Sequence, residues 1–506
     1  MRNRKTPIII IAVLIICLAA AGVLAACSAS GADGVGIKSI EKTGSSGNVD
    51  TYTIYYTDGN SFEFTVTNGT DGANGTDGAN GADGSSVTAL DIYNQYKLAT
   101  GDEELTYEQF VDAFMDVNVS SDNSDVIASV LRSVASVTTE FYETRYTIGG
   151  WTGITTSTGT ALYSGSAVIY KIEDEYTYFI TNYHVVYSGY GNDDNLRYAE
   201  SGADSKNIAR KIVVYLYGSE NTAALTTQKV NNYSGVNYGE YAIECEYVGG
   251  SESNDIALIR AKTSDVKSIN PEVQAVTFAS GYDVGETAIV IGNTGGNGIS
   301  VTEGIVSVHS EDINLQISSN ITVHRSMRID ASMYGGNSGG GCFNLYGELI
   351  GVPHAGNGEE EQSINYAVPV DVAKMVADNI YYYAVDGDDS TRGAYSMDFG
   401  AELDEENSRY IYDEAAQSGK IVADCTISSV TEGGIASSLG LQSGDVITAF
   451  TINGKDEYSI SRGYMTEYPL YALKAGDAFT VTYKREGSQY TTESYIVQSA
   501  NLTKVS

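Results

Sequence analysis

Gly335-Gly336-Asn337-Ser338-Gly339-Gly340 sets one serine between glycines on both sides. A tight turn of this kind projects the hydroxyl and lets neighbouring backbone N–H groups converge on one point, as an acyl-transfer nucleophile requires. The hexapeptide alone reads equally well as an ordinary glycine turn. A serine nucleophile needs a base, and the chain has four histidines, at 184, 309, 324 and 354. His184 closes the apolar run Phe179-Ile180-Thr181-Asn182-Tyr183-His184, where a histidine is either a base or a structural strand end. His309 and His324 fall in alternating segments expected to be exposed strand faces, and His354 follows Pro353 in a strand after the serine. Asp255 stands at the mouth of the apolar strand Ile256-Ala257-Leu258-Ile259. A carboxylate buried there must be paired, and a histidine N–H would pair it; otherwise Asp255 only opens the strand.

These three residues have to be brought together by strands. Abundant glycine (55), scarce proline (5) and frequent tyrosine (39) favour short strands joined by glycine turns. A length of 506 residues exceeds one ordinary core, so several domains are expected. The expected class is mainly β, with residues 126–385 alternating as a barrel or sandwich would and a second β-rich unit over 393–500. Upstream, residues 37–66 suggest a hairpin turning at Asp58-Gly59. Glycine then recurs at 69, 72, 75, 78, 81 and 84, a Gly-X-Y spacer over 69–84 that is collagen-like in period but lacks proline; a flexible hydrated linker is the alternative to a triple helix. Residues 85–125 read as a short helical segment, with Thr106-Tyr107-Glu108-Gln109 as a capping box.

The N-terminus has Arg2, Arg4 and Lys5 before an apolar run from Pro7 to Leu24, the pattern of a signal peptide over 1–26. Leu24-Ala25-Ala26-Cys27 resembles a bacterial lipobox, which implies lipidation of Cys27; an uncleaved membrane anchor is the other reading. Both place the folded chain outside the cytoplasm. Loss of residues 1–26 removes three basic and no acidic side chains, taking the net charge from −36 to −39. So acidic a chain repels nucleic acid, which is therefore not an expected partner. Cys245, Cys342 and Cys425 lie far apart without metal-ligand spacing, and buried free thiols are expected; no metal or organic cofactor is implied.

Taken in order, the motifs resemble those of the HtrA family of chymotrypsin-like serine proteases. Thr181-Asn182-Tyr183-His184-Val185-Val186 is similar to its histidine motif and Asn254-Asp255-Ile256-Ala257 to its aspartate motif. Ile291-Gly292-Asn293, Val301 to Ser307, Arg328-Ile329-Asp330-Ala331 with the serine loop, and Ile364 to Pro369 match the remaining strands. Gly341-Cys342 after the loop and Tyr334-Gly335 before it depart from the usual Pro-Leu and Asn-Pro, and the interval between base and acid is long. The resemblance implies a double β-barrel endopeptidase with His184, Asp255 and Ser338 as triad. It implies an oxyanion hole from the N–H groups of Gly336 and Ser338, and a specificity pocket with Ser332 at its floor and Asn365, Tyr366 and Ala367 along its wall. The stretch from Gly433 to Ile447, followed by Ile452-Asn453-Gly454, resembles a bacterial PDZ domain. That domain would bind peptide C-termini through a loop at Ala394, Tyr395, Ser396 and Met397, or serve only for internal docking. Unfolded polypeptides as substrates, an extracytoplasmic lipid-anchored location and a homotrimer are further implications. The rival function is a catalytically weak, protease-shaped holdase or peptide sensor.

Overall fold

The computed structural model describes residues 37–46, 49–56, 59–67, 123–149, 153–192, 205–220, 224–230, 233–317, 320–356, 363–385, 393–413 and 418–505. Cys27, the Gly-X-Y spacer and the helical segment expected before residue 123 lie outside them. Ahead of that point, Val49–Tyr56 and Ser61–Thr67 pair as the expected hairpin, its turn carrying Gly59 at φ +89°. A third strand, Ile37–Ser46, joins its other edge, an addition that the sequence reading lacked.

Residues 120–506 make a separate unit. Its first barrel closes in the order Ile243–Ser251, Ile256–Lys262, Tyr176–Thr181, Gly153–Ile172, Val134–Gly149, Lys211–Leu216. Alternating apolar positions point inward: Val137, Phe141, Phe179, Ile212 and Ile259 are fully buried. A second ring runs Glu348–Gly356, Gly341–Phe343, Thr287–Gly292, Ser300–Ile317, Asn320–Ile329, Asn365–Pro369, and closes because the last strand pairs back onto the first. Val290, Met327, Ile329, Cys342 and Ile350 fill it. Helix Val370–Val385 packs Val376, Ala377 and Ile380 into the apolar layer that joins the two barrels.

Beyond it, strands Ala401–Asp413, Ser418–Val430, Val446–Ile452, Ala478–Arg485 and Ser488–Thr491 form a sheet around Phe450, Phe479 and Ile427. A one-turn helix, Ile435–Ser438, follows Gly434, and strand Val446–Ile452 follows the turn at Gly444. Ala394–Met397, expected as an open loop, is instead a strand paired with Leu502–Val505. Ala394 and Met397 are buried in that pairing, so a distant partner strand takes one edge of the segment. Cys245, Cys342 and Cys425 are buried free thiols, as their spacing suggested. Among the described residues no helix is long and apolar enough to cross a membrane.

Candidate active site

The site lies between the barrels. His184 is carried on a one-turn helix, Tyr183–Val186, directly after strand Tyr176–Thr181. The turn is fixed from below: Asn182 is fully buried and donates its Nδ2–H to Asp255 O at 2.8 Å, while Thr139 Oγ1 donates to Val185 O at 3.0 Å.

Asp255 is one of the few non-glycine residues with positive φ, at +50°. A left-handed residue there reverses the chain after Glu252 and points the carboxylate back at the histidine, and aspartate tolerates that region better than most side chains. The carboxylate is fully buried. Its Oδ1 accepts the His184 backbone N–H at 3.0 Å, and Oδ2 lies 2.8 Å from His184 Nδ1. Facing a carboxylate, Nδ1 must carry the hydrogen, which leaves the Nε2 lone pair free to take a proton. Burial alone would depress the His184 pKa, but the charge and hydrogen bond of Asp255 outweigh it and the net shift is upward. Burial likewise opposes ionisation of Asp255, yet His184 and His354 hold it well below the usual carboxylate range.

Ser338 stands half-buried on the turn between the second barrel's strands Asn320–Ile329 and Gly341–Phe343. Three glycines make the turn possible. Gly336 has φ +101°, and a Cβ on it would fall 2.1 Å from Asn293 O; Gly339 has φ +85°, and its Cβ would fall 2.2 Å from Ser166 O. A Cβ on Gly340 would fall 2.4 Å from Ile291 O. Among the described residues, no protein acceptor takes the N–H of Gly336 or of Ser338. Ser338 Oγ and His184 share no hydrogen bond, although both segments meet at Gly165, whose added Cβ would lie 2.6 Å from Val185 and 3.4 Å from Ser338 O.

One residue that the sequence reading missed ties this loop together. Ser166, fully buried on the first barrel, gives its N–H to Ser338 O at 2.8 Å and its hydroxyl to Gly336 O at 2.7 Å. The same hydroxyl accepts Asn293 N–H at 2.7 Å, and Ser166 O accepts from Thr181 Oγ1 at 2.7 Å. Thr294 Oγ1 donates to Asn337 Oδ1 at 2.8 Å. Nothing in the local sequence distinguishes Ser166 from the many serines and threonines of its strand.

The expected pocket residues adjoin each other. Asn365 is buried and donates Nδ2–H to Ala331 O at 2.8 Å, next to the half-buried Ser332, whose carbonyl accepts from Thr302 Oγ1 at 2.8 Å. Tyr366 and Ala367 continue the strand, opposite Arg328 and Met327.

Two histidines depart from the sequence reading. His324, expected on an exposed face, is 2% exposed, and burial pushes its pKa down to about 4. Strand Asn320–Ile329 starts in solvent and ends inside the barrel, so its alternation does not mark an exposed side throughout. His309 is half-buried, stacked on Tyr282 at 4.7 Å. Among the described residues no cluster of histidine, cysteine and acidic side chains could hold a metal ion.

Residues 165–352 match the family of trypsin-like peptidase domains. With the mainly β, double-barrel architecture around it, that match gives the chain a trypsin-like peptidase domain and makes it a serine endopeptidase. It is similar to the Serine protease Do-like HtrA of Lactococcus lactis strain IL1403, 27% identical over 76% of this chain and 85% of that protein. It is also similar to the Serine protease Do-like HtrA of Bacillus subtilis, 26% identical over 74% of this chain and 72% of that one. Among solved structures, the HtrA-type protease AlgW with a decapeptide aligns with a TM-score of 0.43 at 21% identity, over 74% of this chain and 99% of that one.

Proposed function

We propose that the chain is an extracytoplasmic endopeptidase of unfolded polypeptides, working through an acyl-enzyme at Ser338. His184 Nε2 takes the Ser338 hydroxyl proton as Oγ attacks a peptide carbonyl, then returns it to the leaving amine. The missing Ser338–His184 hydrogen bond forms as substrate fills the cleft. Asp255 fixes the imidazole tautomer and stabilises its positive charge. The unclaimed N–H groups of Gly336 and Ser338 receive the oxyanion, a contribution of about 3–4 kcal/mol for one such donor. The observation that carries this reading is the buried Asp255 carboxylate on His184 Nδ1 at 2.8 Å, beside a serine loop braced by the same barrel.

The domain organisation belongs to the same proposal: protease residues 126–385, a PDZ domain over 393–500 that takes peptide C-termini, and a lipid anchor at Cys27 ahead of the 69–84 spacer. Ser332, without a carboxylate, gives a pocket suited to small or medium apolar side chains, which unfolded chains expose. A homotrimer is part of the proposal too, because a Gly-X-Y segment winds only in threes. A serine-reactive fluorophosphonate probe tests the core of it. Labelling of the wild type that is lost in Ser338→Ala supports the enzyme. Absence of labelling where a control protease labels would leave a protease-shaped holdase.

A further inference from the structure

Two of the four histidines in the chain face one carboxylate, and a third stands against the second of them. Beyond His184, Asp255 faces His354, which lies on strand Glu348–Gly356 of the other barrel. His354 Nδ1 is 3.4 Å from Asp255 Oδ2, and both side chains are wholly excluded from solvent. At that distance the contact is a charge–dipole attraction rather than a full hydrogen bond. It fixes one ring hydrogen, because a bare Nδ1 lone pair facing a buried carboxylate oxygen would be repelled. The other ring nitrogen is satisfied by the buried Ser326, with Nε2 2.9 Å from its Oγ. His324 stands edge-on to His354, with ring centroids 6.0 Å apart, and its own Nε2 is held by Thr322 Oγ1 at 2.6 Å.

The same strand also reaches the nucleophile loop. Pro353 O accepts the Gly339 N–H at 3.0 Å, so adjacent residues touch the segment after Ser338 and the acid that serves His184. A buried ring hydrogen-bonded at Nε2 and facing the carboxylate through Nδ1 costs little further ordering when substrate binds.

We propose that His354 is a positioning residue for the acyl-transfer chemistry, a buried imidazole that holds the Asp255 carboxylate in the rotation His184 needs. This rests on the Ser338, His184 and Asp255 reading above. The contact also draws off part of the negative charge that Asp255 presents to His184, which limits how far that carboxylate raises the base. The titratable groups facing His354 are Asp255 from the first barrel and His324 from strand Asn320–Ile329, which pairs with the far edge of strand Asn365–Pro369; Tyr366, on that intervening strand, pairs opposite Ala355.

The test uses the full chain and two replacements of different chemistry. His354→Leu fills the space with no donor, whereas His354→Asn keeps an N–H near the position of Nδ1. Peptide hydrolysis is followed through the acid limb of the pH profile, with thermal unfolding alongside. For His354→Leu, kcat should fall about tenfold with KM changed less than about twofold. Its acid midpoint should move to higher pH, because Asp255 then acts on His184 undiluted. His354→Asn should regain most of kcat and the wild-type midpoint. If the leucine variant fails to fold, Ser326→Ala, which releases the far side of the ring, should move the midpoint in the same direction. An unmoved acid limb in every variant, or an asparagine variant no better than leucine, would make His354 a packing residue and overturn the inference. A wild type with neither probe labelling nor an acid limb would instead remove the underlying reading.

Discussion

Ser166→Ala removes one oxygen that holds two buried backbone groups, the carbonyl of Gly336 and the N–H of Asn293, each at 2.7 Å. The site is fully buried, so water does not replace the hydroxyl at its old position. Leaving a buried polar group without a partner costs about 1–3 kcal/mol, so an unrelaxed loop would lose about 2–6 kcal/mol. The loop has an easier course, which is to let the peptide after Gly336 turn away. That rotation swings the Asn337 N–H of the same peptide and strains the two flanking peptides, displacing the N–H groups of Gly336 and Ser338 that are to meet the oxyanion. Misplacing one donor raises the barrier by about 2.7–4 kcal/mol, or 10²–10³ in kcat. The expected result is therefore lopsided: stability falls towards the low end of the range, while kcat drops at least a hundredfold and KM changes little. Urea unfolding and initial-rate kinetics on a fluorogenic peptide measure the two sides. A variant with kcat within about twofold of wild type would refute the reasoning, since Gly336 would then be held by something other than Ser166.

Ser338→Ala should abolish peptide cleavage with an unchanged unfolding transition, because it removes a hydroxyl from a turn and no core volume; residual casein cleavage would place the nucleophile elsewhere. The activity should fall as pH drops, with a midpoint above the ordinary histidine value of about 6.5, because Asp255 raises the His184 pKa and the base must be neutral. Stability runs the other way: the raised His184 contribution is complete below its unfolded pKa and lost as pH rises through the folded one, while Asp255 stays ionised throughout. A midpoint below 6.5 would contradict the pairing. In a peptide library, cleavage should follow Val, Ala, Leu or Met rather than Lys or Arg, because Ser332 supplies no carboxylate; dominant cutting after basic residues would mean that the pocket is elsewhere.

The parts of the site visible in the sequence are those with a local frame. His184 ends an apolar run, Asp255 opens one, and Ser338 stands among glycines that the backbone requires at positive φ. Ser166 and His354 have no such frame. Ser166 is defined by Gly336, which lies 170 residues away in the chain, and His354 by a carboxylate on the opposite barrel. The strand character of Ala394–Met397 was hidden for the same reason, since its partner, Leu502–Val505, lies more than a hundred residues further along. Alternation failed at His324 because a strand that enters a barrel from solvent changes environment along its length, while the alternation only distinguishes its two sides.

One contact outside the barrels reaches the residue next to the acid. Asn254 donates Nδ2–H to Tyr471 OH at 2.7 Å, and Tyr471 lies on helix Glu467–Ala472 of the C-terminal region, where Asn379 also donates to its carbonyl at 2.7 Å. Binding events at the two ends of this connection cannot be energetically independent if either one shifts the hydrogen bond. A ligand that draws the helix away loosens the turn that presents Asp255, and an acyl group that locks the catalytic side tightens the helix by the same free energy. Reciprocity of this kind makes occupancy of the cleft readable at a distance, as slower amide exchange along Glu467–Ala472.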